Sequence, residues 1–139
     1  MTDTRRFYKE EEKEKEMSTH SRIGIEEVDG TIRSVYCHFD GYEEHVGALL
    51  LKAYTDPNKL RALISLGDLS SLAEGLEKTV AYHRDRGEDL NVQTGMSRRE
   101  FDRSESFAYL FVVATGEWIY TRGSEKNCVT LTEKICSRE

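Results

Sequence analysis

The chain has little in the way of long apolar runs. No apolar run approaches the ~20 residues that a membrane-spanning helix requires. The N-terminus is almost entirely charged, so it holds no secretory apolar stretch. Cysteine is scarce and badly spaced for chemistry. Cys37, Cys128 and Cys136 are odd in number, and no CxxC joins them. That fits neither a disulfide framework nor a zinc knuckle. Small packing residues in a reducing cytosol are the expectation. Walker A, GxGxxG, GxSxG and HExxH patterns are all missing, which lowers the expectation of a common nucleotidase or hydrolase. No cofactor and no metal are expected.

Positive charge is also in deficit. The net charge is -6. The first 16 residues hold five Lys/Arg and six Asp/Glu, a balance of -1, so the remaining 123 residues carry -5. An acidic body argues against non-specific nucleic-acid binding, which depends on neutralising phosphates. A local basic pocket stays open.

What is present is one domain's worth of chain. At 139 residues, 37 % hydrophobic and 33 % charged, the length suffices for a single core. Residues 1–16 read as a charged leader, helical or disordered, because Lys9 to Glu16 has no apolar residue to bury. Met17 is an expected alternative start. Residues 17–139 form a single α+β domain.

Asp29-Gly30 between two β-like runs predicts a hairpin over 22–28 and 31–39 with a type I′ turn. Ile23 and Ile25 mark one face of its first strand, and Val35, Cys37 and Phe39 the inward face of its second. Val46, Leu49, Leu50 and Ala53 predict a helix over about 43–54. Asp56-Pro57 opens a second helix that Gly67 stops. Residues 68–72 read as a capped turn, 79–82 as a short strand and 84–91 as a surface loop. A short helix capped by Ser97 follows. Phe107 to Ala114 is a continuous apolar strand, expected at the centre of the sheet. It turns at Gly116 into Trp118-Ile119-Tyr120, read as cross-strand aromatic packing, with a last strand at 129–132. The predicted architecture is an antiparallel sheet of four to six strands. Two hairpins build it, and a helical insert packs on one face.

One constellation points to a site. Tyr36, His38, Asp40 and Tyr42 fall at every second position, so an unbroken strand would put them on one face. Two phenols, an imidazole and a carboxylate suit a polar, partly aromatic ligand: the tyrosines stack on a flat ring while His38 and Asp40 form hydrogen bonds. A solvated strand face is the bland alternative. Arg22 lies across the hairpin and suits a phosphate, against a rim salt bridge. His83-Arg84-Asp85-Arg86 offers further guanidinium groups, against a solvated loop. A metal set of His38, Asp40 and His45, and a general base His38 oriented by Asp40, are the catalytic alternatives. No nucleophile is evident, and Cys37 faces away from His38.

These residues resemble a family of small bacteriophage and prophage proteins. The shared strings are Met17-Ser18-Thr19-His20-Ser21-Arg22-Ile23-Gly24, then Val35-Tyr36-Cys37-His38-Phe39-Asp40-Gly41-Tyr42, then Val46-Gly47, then Leu66-Gly67-Asp68-Leu69-Ser70. The resemblance covers about residues 17–72, and the hairpin from Tyr109 to Tyr120 is similar too. It implies a phage context and the host cytoplasm, but no activity. The resulting expectation is a counter-defence protein acting by non-enzymatic binding. Arg22, Tyr36, His38, Asp40 and Tyr42 would hold a small nucleotide-like ligand. The alternatives are an acidic inhibitor that occludes a host defence protein, or a small hydrolase or lyase using His38 and Asp40. Self-association stays open.

Overall fold

A computed structural model describes residues 19–122 and 128–137. The predicted leader and the Met17 start lie outside the described residues. Eight strands form one open mixed sheet among the described residues: β1 (Ser21–Glu26), β2 (Ile32–Cys37), β3 (Leu69–Ser71), β4 (Val80–Ala81), β5 (Gln93–Thr94), β6 (Phe107–Val112), β7 (Glu117–Arg122) and β8 (Val129–Thr130). Their order is β4-β3-β2-β1-β6-β7-β8, with β5 also paired to β2.

The sheet is not purely antiparallel, which corrects the expectation. β1 runs parallel to β6, with Ile23 opposite Tyr109, and β2 runs parallel to β3. The two predicted hairpins exist, but they meet through this parallel seam. Leu69–Ser71, read as a capped turn, is the strand that receives β2.

The first hairpin is tighter at its strands and longer at its loop than predicted. The Gly30 N–H donates to the Glu27 carbonyl at 2.9 Å, and Glu27 N–H donates to Thr31 at 2.9 Å. Only Gly30 of the loop takes positive φ, at 89°. The connection is thus a three-residue loop with a glycine bulge in place of a two-residue type I′ turn.

The helices follow their local signals. A π-helical turn, Glu43–Gly47, runs into α1 (Ala48–Ala53). In α2 (Pro57–Ser65) the Asp56 side chain accepts the Asn58 N–H, and Pro57 supplies a preset φ. Gly67 ends it at φ 82°. A short α3 (Tyr82–Arg86) replaces the start of the predicted loop. In α4 (Arg98–Asp102) Ser97 and Glu100 form a reciprocal capping box. The last helix is α5 (Glu133–Cys136).

Alternation divides the sheet into two buried faces. Ile23, Ile25, Val35, Cys37, Tyr109, Phe111, Trp118 and Tyr120 pack with Val46, Leu50, Leu60, Leu63, Ile64 and Cys136. The predicted insert therefore does cover one face. Ile32, Ala108, Leu110 and Val112 pack with Phe101 of α4 on the other. All six residues of β6 are buried, as its continuous apolarity requires. The aromatic pair reading of β7 also holds: Trp118 meets Phe111 edge-on at 5.4 Å and Tyr120 stacks on Tyr109 at 5.7 Å. Their polar handles are satisfied, since Trp118 Nε1 donates to the Tyr54 carbonyl and Tyr120 to Glu43. Cys37 and Cys136 are buried in this core, whereas Cys128 is exposed.

Candidate functional site

The second face of the sheet is apolar only at one end. At the other, β1 and β2 place polar side chains on this face, Arg22 and Ser34 among them and both buried. Arg22 is the register partner of Tyr36, and Gly24 of Ser34. Arg22 is 7 % exposed. Its Nη1 donates to Ser34 Oγ at 3.1 Å, while its Nε finds no partner among the described residues. A guanidinium this buried is normally paired.

Beside it stand three rings. The Tyr36 hydroxyl lies 2.9 Å from His20 Nδ1 and 2.7 Å from His38 Nδ1. His20 Nδ1 is also 2.9 Å from the His38 carbonyl. The two imidazole centroids are 4.6 Å apart. Burial raises the Tyr36 phenol to about 12, so it keeps its proton. Burial first, and then the neighbouring His20 imidazole, lowers His38 below its ordinary 6.5. His38 is therefore neutral at pH 7.

Asp68 fixes this end of β2. Its Oδ1 accepts the Tyr36 N–H at 2.9 Å and its Oδ2 accepts from Asn91 at 2.8 Å. Past Cys37 the backbone leans onto β3, with His38 N–H donating to Leu69 and Phe39 N–H to Ser70. On the flank, Arg86 reaches Ser70 Oγ at 3.5 Å and lies over the Tyr82 ring. Arg84, by contrast, is tied to Asp85, Leu76 and Thr79. Glu105 is the counterweight. Burial raises its carboxyl above the usual range, while the Arg22 guanidinium and, after it, the His20 imidazole pull it down.

The structure brings Arg22, Tyr36 and His38 to one end of one face. It does not carry the alternation on to Asp40 and Tyr42, because β2 stops at Cys37. Asp40 takes φ 56°, and Gly41 N–H turns back onto the Thr19 carbonyl at 2.8 Å. A Cβ on Gly41 would lie 2.7 Å from Ser21 Cβ, so only glycine permits this crossing. Tyr42 is 37 % exposed and packs its ring near His45 instead. The phenol of Tyr36, not Asp40, holds the His38 ring. No group of three His, Cys, Asp or Glu among the described residues is placed to hold a metal ion.

Two further corrections concern single residues. Phe39, expected to point inward, is 43 % exposed and sits edge-on to His38 at 4.5 Å. The irregular backbone after Cys37 rotates it out of the alternation. His20 was not among the expected site residues. It precedes Arg22 by two positions, so the same period-two argument would have found it.

A scan against protein-family models, a search of curated proteins and a search of solved structures each return no match. No helix among the described residues is long and apolar enough to cross a membrane.

Proposed function

We propose that this end of the sheet binds a small nucleotide-like anion, and that the chain is a phage accessory protein acting against host defence through that binding. One observation carries the ligand reading: a guanidinium 7 % exposed whose Nε has no partner among the described residues. A buried, incompletely paired cation costs stability unless something anionic completes it. A phosphate does so with planar, two-pronged geometry. The surrounding rings supply the rest. His38 and Tyr36 offer hydrogen bonds, and the exposed Phe39 offers a flat face for a base. Arg86 adds a second positive charge at the flank. The acidic body favours a ligand of one or two phosphates over a long polyanion. The phage context rests on the resemblance of residues 17–72 alone.

Titration calorimetry of the full chain with adenosine 5′-monophosphate, and with inorganic phosphate as control, tests the reading. Binding of the nucleotide should weaken with salt and vanish in Arg22→Met. If neither probe binds, the ligand reading fails and occlusion of a host protein takes its place.

A further inference from the structure

Two imidazoles joined through a phenol are more than an anion needs if it is only to be held. A proton arrangement with one hydrogen on each ring satisfies all three contacts among His20, Tyr36 and His38. The His38 carbonyl can only accept, so His20 Nδ1 carries the hydrogen that lies 2.9 Å from it. That same N–H faces the Tyr36 oxygen at 2.9 Å. With the phenol hydrogen on its other neighbour, His38 Nδ1, at 2.7 Å, the arrangement is complete. This arrangement sets the tautomers. With its hydrogen on Nδ1, the His20 ring keeps a lone pair on Nε2. Neutral His38 carries a hydrogen on Nε2. One ring is a base and the other a donor, with centroids 4.6 Å apart.

We propose that this site cleaves a short ribonucleotide phosphodiester by internal transfer, with His20 as general base and His38 as general acid. His20 Nε2 takes the proton from the ribose 2′-hydroxyl. The freed oxygen attacks the neighbouring phosphorus and forms the new P–O2′ bond. The P–O5′ bond breaks, and the leaving 5′ oxygen receives the Nε2 hydrogen of His38. The products are a 2′,3′-cyclic phosphate and a 5′-hydroxyl. No water, oxidant or reductant enters the step.

Tyr36 links the two rings. As His38 gives up its outer hydrogen, the phenol refills its Nδ1, and the His20 Nδ1–H refills the phenol. The proton taken at one ring is thereby balanced at the other. Tyr36 is a positioning residue in this scheme. Arg22, its cross-strand partner, faces the charge that the phosphoryl oxygens gain in the transition state. The proposal rests on the ligand reading above, and it adds the requirement for a 2′-hydroxyl.

The full chain incubated with uridylyl-(3′→5′)-adenosine, and separately with its 2′-deoxy analogue, provides the test. Phosphorus NMR reads the cyclic product and calorimetry reads binding. The ribose dinucleotide should be cleaved and the deoxy analogue bound intact. His20→Gln and His38→Gln, each checked for an unchanged melting temperature, should lower turnover by roughly 100-fold or more. Tyr36→Phe should reduce turnover more than binding and shift the pH–rate profile. Binding of both dinucleotides without cleavage overturns the proposal and leaves the ligand reading intact. Cleavage that persists in both histidine variants also overturns it. Failure to bind either dinucleotide overturns this proposal, and adenosine 5′-monophosphate decides the ligand reading separately.

Discussion

Replacing Arg22 with methionine should leave the fold almost untouched while removing the anion site. The structure sets the magnitude. The lost contact is one charge-assisted hydrogen bond to Ser34 Oγ, worth about 1.5–3 kcal/mol. The relieved defect is a buried Nε–H with no partner among the described residues, which costs about 1–3 kcal/mol. These nearly cancel, and the methionine stem refills most of the volume. The net change should stay within about 1 kcal/mol, or roughly 4 °C in melting temperature for a chain of this size. Thermal melting and calorimetry with adenosine 5′-monophosphate, run on the same samples, read both consequences. The reasoning fails if Arg22→Met melts more than about 10 °C lower. A drop of that size is what breaking a fully paired buried ion costs, about 3–5 kcal/mol. The guanidinium would then be a structural tie, and a ligand would not be needed to complete it.

Glu105→Gln should tighten nucleotide binding several-fold in the same calorimetric assay, because it removes the carboxylate that competes for Arg22 and His20. Leu110→Asp should abolish cooperative melting, since Leu110 is 1 % exposed on β6 and an unpaired buried carboxylate costs several kcal/mol. Gly24→Ala should cost about 1–3 kcal/mol by overpacking, because its Cβ would lie 2.7 Å from Phe101 Cε2 and 3.2 Å from the Arg33 carbonyl; chemical denaturation reads it. For pH, the native His38 holds its proton less tightly than the unfolded chain, owing first to burial and then to His20. Its contribution is present above the unfolded value of 6.5 and is lost as pH falls from there towards the native value. Melting curves collected from pH 7 downward should therefore flatten in His38→Gln relative to the parent chain.

Local chemistry was legible in the sequence, and long-range pairing was not. The Asp56-Pro57 start, the Ser97 cap and the Gly67 stop each depend on residues within one turn, so their signals survive in any context. β6 was legible because burial on both faces leaves no polar position. The β1–β6 seam had no such signal. Parallel register is set by residues far apart in the chain, and both strands read equally well as antiparallel. Leu69–Ser71 was misread because three residues are too few to show alternation. At the candidate site, the shared face of Tyr36 and His38 was legible through the period of two, and Arg22 through its place across the hairpin. Asp40 and Tyr42 were grouped with them by extending that period past Cys37, where hydrogen bonds to β3 and the crossing at Gly41 end it. Glu105 reaches the site from the turn before β6, a placement no local pattern announces.

The parallel seam has a consequence for synthesis on the ribosome. β1 is complete at Glu26, yet its second neighbour is not finished until Val112, 112 − 26 = 86 residues later. At about 5–20 residues per second, the nascent chain waits roughly 4–17 s with that side of β1 unpaired. Through that interval Ile23 and Ile25 stand on a hairpin whose free edge can template pairing with a neighbouring chain. High expression should therefore favour aggregation of unfinished chains, and slowing translation upstream of residue 107 should worsen it even though the finished protein is unchanged.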